Sequence, residues 1–263
     1  MNKLHVIGLG IREAAQLTLE GLEALKRADK VLVLPVTTGQ VEKFLMKNGI
    51  GPYENLKHLY QEGQTDTQNY QRILEKVVAE CRQYSDVALL VPGNPRIGVT
   101  LVQWLEERKS ALGIQLTVIE GISSFDTIIN DLKKDPIERG SAILGANRIL
   151  LFDYPLNPLL DHYIYHTCSI GCAEVNVDRP AHNNRIDLLQ SHLLKFYPKD
   201  HPATLISSSV AVGAAAAETH AIRLDQLMEF LPFIHYGTTL FIPGASPRKI
   251  NRQFLNAIAP EHS

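Results

Sequence analysis

An unbroken apolar run that a glycine and proline turn cuts short is the feature of this sequence that most constrains its fold. Residues 87–91 are all apolar, as expected of a strand buried on both faces of a parallel sheet. The tetrapeptide PGNP at 92–95 ends the run, and a helical pattern resumes at Thr100. Open α/β sheets bind ligands at the carboxyl ends of their strands, so this turn is predicted to hold a small-molecule site. An ordinary connection without a ligand is the alternative.

Three further units of the same kind predict an α/β fold. Apolar runs at 4–8, 30–34 and 114–119 each precede a segment with helical periodicity, and the series predicts a parallel α/β domain. The longest helix is predicted to begin near Asp66 and to bury one face, which includes Tyr70. Tyr60 lies in the polar loop before that helix, where core packing does not explain it.

The second half of the chain has a different pattern. Residues 133–140 combine charged side chains with proline and glycine, and we interpret them as a linker between domains at 1–135 and 141–263. Short connections between the apolar runs that follow favour a mixed sheet. The elements predicted there are helices from Leu156 and over 187–196, and strands over 203–206 and 238–242.

The composition limits the classes of partner and the cellular location that we expect for this protein. A net charge of −2 over 263 residues gives no basic footprint, which argues against a nucleic-acid partner. Hydrophobic residues make up 45% of the chain, yet no apolar run reaches the length that crosses a bilayer. The N-terminus passes into a strand without a signal-peptide layout. We therefore expect a cytoplasmic protein with neither a membrane nor a nucleic acid as partner.

The cysteines and histidines give no metal pattern. Cys168 and Cys172 are four residues apart, but no second pair completes a zinc site. Buried thiols are the predicted role of both, and of Cys81. His162 and His166 have the same spacing and are predicted to share one face of a helix in a structural role. The sequence thus predicts no metal site.

Taken in series, the motifs resemble the tetrapyrrole methylase-like superfamily of S-adenosylmethionine-dependent methyltransferases. The opening LHVIGLGIREAAQLTLEGLEALKRADKVLVL is similar to that family's first strand, glycine turn and helix. VPGNPRIG resembles its Gly-Asp-Pro loop, IEGISSFD resembles its second turn, and PATLISSSV and TTLFIPG are weaker matches in the second half. The resemblance implies two α/β domains with mostly parallel or mixed sheets, a ligand cleft between them, and a homodimer.

The resemblance also implies S-adenosylmethionine as the methyl donor. Turn amides and small side chains would hold its adenine and amino-acid ends, and an apolar channel would receive the sulfonium methyl group. Helix capping is the alternative role of the two serines in the second turn. The implied cofactor-binding residues are Ile11, Pro92, Gly93, Asn94, Ile97, Ser123, Ser124, Tyr154, Ser209 and Thr239.

Within the superfamily, LKHLYQEGQTDTQNYQRILEKV, the PGNP loop and KFYPKDHPA are similar to the borosin-type branch, which methylates backbone amide nitrogens of a ribosomal peptide. Tyr60 and Tyr70 match two tyrosines of that branch, which implies that they are catalytic and act on the amide proton. An arginine and a third tyrosine of the branch are replaced here by Asp66 and Pro92. The sequence ends at Ser263 without a peptide-like tail, so the peptide is expected to be a separate molecule.

Two other functions stay open at this point. A tetrapyrrole or corrin precursor C-methyltransferase is one, although family members that act on corrins carry aspartates where this chain has Glu13 and Asn94. A binding module that kept the fold without the chemistry is the other, and the replaced polar residues favour it. Turnover of a porphyrinogen would indicate the first, and donor binding without turnover would indicate the second.

Overall fold

Two five-stranded sheets form the framework of the protein. The structure is a computed structural model, and it describes residues 2–34, 39–174, 176, 179, 181–213, 216–245 and 249–258. The first sheet is parallel throughout, with the strand order β3-β2-β4-β1-β5. Its strands are β1 (Asn2–Gly8), β2 (Lys30–Val33), β3 (Tyr53–Asn55), β4 (Asp86–Val91) and β5 (Ile114–Ile119). The predicted parallel α/β half is thereby confirmed.

Helices cover both faces of this sheet, which is why β4 is apolar along its length. Residues 87–91 of β4 are all 0% exposed, as the uninterrupted run predicted. Thr18 caps the first helix by accepting a hydrogen bond of 3.0 Å from the backbone nitrogen of Gly21. The helices are α1 (Leu19–Arg27), α2 (Gln40–Lys47), α3 (Asp66–Gln83), α4 (Thr100–Leu112) and α5 (Ser124–Leu132).

The second sheet is mixed, in the order β6-β7-β10-β8-β9, as the short connections predicted. Only the pair β6 and β7 is parallel among its four strand pairs. Its strands are β6 (Ser141–Gly145), β7 (Asp161–Tyr165), β8 (Pro202–Ser207), β9 (Glu218–Arg223) and β10 (Thr239–Ile242). The helices of this half are α6 (Ala146–Leu151), α7 (Ile186–Leu193) and α8 (Arg252–Ile258).

One predicted helix of the second half is wrong. The chain from Leu156 makes a turn, in which Asn157 Oδ1 accepts a hydrogen bond of 3.0 Å from the Leu159 nitrogen, and then enters β7. Prolines on both sides of Asn157 leave too few amide donors for a helix there. His162 therefore lies in β7 and His166 just after it, so the helix face predicted for this pair is also wrong.

The two sheets contact each other through α5. The ring of Phe125 packs edge-on against that of Tyr163 in β7, with 5.0 Å between centroids. Nearby, the Ser208 hydroxyl donates a hydrogen bond of 2.6 Å to Asp131 at the end of α5. Ile128 shares a small buried cluster with Tyr163 and with residues of β8 and β10. The carboxyl end of β7 thus faces the first half of the chain.

The three cysteine side chains are buried or half-buried. Cys81 and Cys168 are buried as predicted, and Cys172 is half-buried with its thiol 3.3 Å from the carbonyl oxygen of Asn183. None of the helices within the described ranges combines the length and the apolar character that spanning a membrane requires.

Candidate active site

The carboxyl ends of β1 and β4 form the topological switch point of the first sheet. The connection after β1 leads to β2 on one side, whereas the connection after β4 leads to β5 on the other. Neighbouring strands whose connections leave in opposite directions have a crevice between their ends, where open α/β sheets bind ligands. The PGNP turn therefore lies where a small-molecule site is expected.

Backbone contacts join the turns above these strand ends. Gly10 and Gly93 exchange two hydrogen bonds, 3.2 Å from the Gly10 nitrogen and 2.9 Å from the Gly93 nitrogen. Gly121, just after β5, packs so closely against Gly93 and Gly8 that no side chain fits between them. Three turns thus present one continuous backbone surface. Sequence reasoning did not assign Gly8 and Gly121 to the site, although each follows an apolar run.

The loop after β4 offers backbone and apolar groups to a ligand. Gly93 has a φ of 66°, a left-handed conformation that favours glycine. The Asn94 carbonyl oxygen accepts a hydrogen bond of 3.0 Å from the Ile97 nitrogen, which turns the loop back toward α4. Pro92 and Ile97 are exposed, and Ile11 Cδ1 would be 3.5 Å from a Cβ on Gly93. Five of the implied cofactor-binding residues are therefore close together.

The second predicted turn caps α5. Ser123 is buried, donates a hydrogen bond of 2.6 Å to Asp126 Oδ2 and accepts one of 3.2 Å from the Asp126 nitrogen. This capping box confirms the alternative role of Ser123 and directs its hydroxyl into the helix terminus. Its neighbour Ile122 is 40% exposed, and its carbonyl oxygen lies 4.0 Å from the position of a Cβ on Gly93, a contact which sequence reasoning missed.

Ser124 connects this turn with the second sheet through Tyr165. The Ser124 hydroxyl lies 3.4 Å from the Tyr165 hydroxyl at the end of β7, and the side chain of Thr239 in β10 hydrogen-bonds the same oxygen. Burial raises the pKa of Tyr165, and the two hydrogen bonds oppose that rise. Ser124 and Thr239, which the resemblance implies bind the cofactor, thus both contact Tyr165, and no local sequence motif identifies this tyrosine.

His166 brings the second sheet against the PGNP loop. A Cβ on Gly98 would lie 3.3 Å from His166 Nε2, and one on Gly145 would lie 3.9 Å from Nδ1. The ring is accessible to solvent, yet desolvation by the surrounding protein lowers its pKa, while the carboxylate of Asp66 opposes this change. Because the His166 ring is both accessible and largely surrounded by protein, it lies on a concave surface.

The two tyrosines implied to be catalytic lie on the same side of α3. The Tyr60 hydroxyl donates a hydrogen bond of 2.7 Å to Asp66 Oδ1, and the Tyr60 ring packs edge-on against Tyr70, with centroids 6.3 Å apart. Tyr70 in turn packs edge-on against Trp104 of α4. Burial, together with the Asp66 charge, raises the pKa of Tyr70 to about 12 and that of Tyr60 well above its usual range.

A third tyrosine, from the second half, faces these two. Tyr236 lies in the segment before β10, and its pKa is raised by burial and by the nearby charges of Asp66 and Glu62. Tyr236 is also one of the groups whose electrostatic interaction raises the pKa of Tyr60. Tyr60, Asp66, Tyr70, His166 and Tyr236 thus form one polar cluster, which we call the tyrosine cluster.

Two implied cofactor-binding residues have contacts elsewhere. Tyr154 stacks on Phe152 beyond α6, and its carbonyl oxygen lies 2.9 Å from His192 Nε2 on α7. These contacts do not connect it with the switch point. Ser209 follows β8, and its hydroxyl accepts a hydrogen bond of 3.2 Å from the Ala211 nitrogen. It lies next to Ser208, which contacts α5, so it is closer to the sheet contact than Tyr154.

Known proteins resemble this chain over most of its length. A methyltransferase/ribosomally synthesized type I borosin cyclic peptide precursor from Gymnopilus junonius is 27% identical over 94% of this chain and 58% of its own length. A similar precursor from Mycena rosella is 25% identical over 97% of this chain and 63% of its own length. The chain therefore spans about three fifths of these relatives.

The fold is that of known methyltransferase structures. Uroporphyrin-III-C-methyltransferase from Thermus thermophilus superposes with a TM-score of 0.63 at 19% identity, over 92% of both chains. The family model of the Tetrapyrrole (Corrin/Porphyrin) Methylases matches residues 3–148, which is more than half of the sequence and includes all three turns of the switch point. The chain belongs to the family of the tetrapyrrole (corrin/porphyrin) methylases.

Proposed function

We propose that this chain is an S-adenosylmethionine-dependent methyltransferase that methylates backbone amide nitrogens of a ribosomal peptide. The observation that carries the proposal is the tyrosine cluster, which lies beside the loop of the switch point through the contact of His166 with Gly98. The similarity to borosin precursors over nearly the whole chain supports a peptide as acceptor.

The residues at the switch point fit the methyl donor. A Cβ on Gly93 would be in ordinary contact with Ile11 Cδ1, at 3.5 Å, so a larger side chain would fill the space beside it, and Ile97 and Ile122 in the same turns are exposed. Backbone amides and carbonyls suit adenine and amino-acid groups, and the isoleucines suit the apolar part of the ligand. S-adenosylmethionine supplies an electrophilic methyl group on a sulfonium. We place its site between the domains at 1–135 and 141–263, with Ser124, Thr239 and Ser209 on its far side and Tyr154 as a peripheral contact.

The role of the tyrosine cluster is to position the acceptor and to take its proton. An amide nitrogen is a weak nucleophile because its lone pair is delocalised, so its N–H must be polarised as the new bond forms. Tyr60 and Tyr70 present phenols to a partly dehydrated space, where a hydrogen bond to the amide is stronger than in water. Alignment of nitrogen, methyl carbon and sulfur supplies much of the rate.

Two measurements test this function. Calorimetric titration with S-adenosylmethionine and with S-adenosylhomocysteine is expected to show micromolar binding, and no binding at millimolar ligand would overturn the donor site. The donor-saturated protein is then incubated with a translated peptide library, and a gain of one methyl mass on a backbone nitrogen is expected in mass spectra. Methylation of uroporphyrinogen III instead would indicate a tetrapyrrole C-methyltransferase. Donor binding with no turnover of either acceptor would indicate a non-catalytic module.

The proposal includes a homodimer in the cytoplasm, which the family resemblance implies. Light scattering on the purified chain is expected to give twice the mass of 29.3 kDa. A monomeric mass at micromolar concentration would remove the dimer from the proposal without affecting the methyl-transfer chemistry.

A further inference from the structure

The hydrogen bond between Tyr60 and Asp66 is built into a rigid part of the fold. Asn69 is fully buried in α3, accepts a hydrogen bond of 2.8 Å from the Gln61 nitrogen and donates one of 3.0 Å to the Gln61 oxygen. These two bonds fix the loop residue next to Tyr60 on the helix that carries Asp66. The short contact between the phenol and the carboxylate is therefore held by the backbone on both sides.

Asp66 is not needed to cap its own helix. Thr65 Oγ1 accepts a hydrogen bond from the Gln68 nitrogen, and Gln68 Oε1 accepts one from the Thr65 nitrogen, so the capping box already satisfies this terminus. The backbone of Thr65 also forms a β-bridge with Glu174 of the second half, which holds the start of α3 at the boundary between the two halves. Asp66 is exposed there and can exchange a proton with water.

We propose that Asp66 is a positioning residue that receives, through the Tyr60 hydroxyl, the proton lost by the methylated nitrogen. This inference rests on the proposed function. As the new nitrogen–carbon bond forms, the carbon–sulfur bond of the donor breaks and its electron pair goes to sulfur. The nitrogen–hydrogen bond breaks in the same step, its proton passes to Tyr60 Oη, and the hydroxyl proton of Tyr60 passes to Asp66 Oδ1. Asp66 then releases the proton to water.

We call this path, from the nitrogen through the Tyr60 hydroxyl to Asp66, the proton relay. The charges around Tyr60 favour the proton relay over a Tyr60 anion that acts as the base. Asp66 accepts the hydrogen bond of the Tyr60 hydroxyl, and the charges of Asp66, Tyr70 and Tyr236 all raise the pKa of Tyr60. A carboxylate beside a phenol opposes its ionisation, because both would be negative. Desolvation lowers the pKa of His166, which opposes a positive charge on its ring beside Asp66. Tyr60 is thus a neutral phenol whose proton already points at an acceptor.

The first test asks whether Tyr60 ionises, and it needs no acceptor. The absorbance at 295 nm of the wild type minus that of Tyr60→Phe is recorded from pH 6 to pH 9.5, with and without saturating S-adenosylhomocysteine. The relay predicts a flat difference in both titrations. A tyrosinate signal with a midpoint within this range that Tyr60→Phe removes would overturn the relay, whatever the acceptor is.

The second test measures methyl transfer to a peptide that the library screen identifies. Asp66→Asn keeps an acceptor for the Tyr60 hydroxyl but removes the charge, and the rate is expected to fall by about 10²-fold or more with unchanged donor affinity. Asp66→Glu is expected to restore part of the rate, and the acidic limb of the pH profile is expected to disappear in Asp66→Asn. Asp187→Asn is the matched control, because Asp187 is also an acid in the first turn of a helix. An Asp66→Asn rate within threefold of wild type would overturn the relay, whereas a failed screen with donor binding intact counts against the peptide acceptor alone.

Discussion

A Cβ atom on Gly121 would lie 2.4 Å from the carbonyl oxygen of Gly93. This close approach holds the turn after β5 against the turn after β4. Because the obstacle is backbone, a side chain cannot be accommodated by a change of rotamer. The shape of the proposed donor site therefore depends on two glycines in different units of the sheet.

Gly121→Ala is expected to destabilise the protein through this clash, by about 3 kcal/mol. Gly93→Ala is the comparison, since its Cβ would make only ordinary van der Waals contacts and the positive φ of 66° is what opposes it, at a cost of about 1 kcal/mol. Urea unfolding of both variants measures the free energies of unfolding. Equal losses in the two variants would show that the turns do not pack as described.

Filling the space above Gly93 is expected to abolish donor binding. Gly93→Leu is the test variant, and Gly113→Leu is its matched control, because Gly113 has a φ of 67° and no atom within 4 Å of its Cβ position. Both variants carry the same backbone strain, but only the first one fills the proposed site. Calorimetry with S-adenosylhomocysteine is expected to show at least a tenfold loss of affinity for Gly93→Leu alone. Retained affinity would move the donor away from the switch point.

Four of the five strands of the first sheet could be predicted because burial leaves a simple apolar pattern. The same argument explains two of the missed strands, since β9 has a single buried residue, Ile222, and β3 is three residues long. At the site, the loops around Gly93 and Ser123 follow apolar runs and were predictable. The contacts of Tyr165 with Ser124 and of His166 with Gly98 were not, because they join positions more than forty residues apart and depend on how the second sheet docks.

Stability is expected to fall below neutral pH because of His162. This residue is 1% exposed, and burial lowers its pKa; its Nδ1 lies 3.0 Å from the Leu160 oxygen and 2.9 Å from Tyr197 Oη. The unfolded chain binds a proton near pH 6.5 while the folded protein does not, so the free energy of unfolding decreases as pH falls from 6.5 toward the lower folded pKa. Melting temperatures between pH 7.5 and 5 measure the effect. His162→Gln is expected to flatten this dependence and the exposed His58→Gln to leave it unchanged; equal slopes in both would contradict the assignment.

Phe125 is expected to couple the unfolding of the two halves. Its ring packs against Tyr163 across the sheet contact, and Phe125→Ala removes that contact at a cost of about 2 kcal/mol, because the side chain is only half-buried. The single tryptophan, Trp104, lies in α4 and reports on the first half, whereas far-ultraviolet circular dichroism reports on both halves.

In the wild type, the two signals are expected to change together during urea unfolding, and in Phe125→Ala they are expected to separate. Phe44→Ala is the control, because Phe44 packs partly buried against the core beneath α2 and lies away from the second sheet. That variant should lose stability while both signals still coincide, since its cavity weakens the first half without loosening the contact. Coincident transitions in Phe125→Ala would mean that other contacts, such as the one between Ser208 and Asp131, suffice to couple the halves.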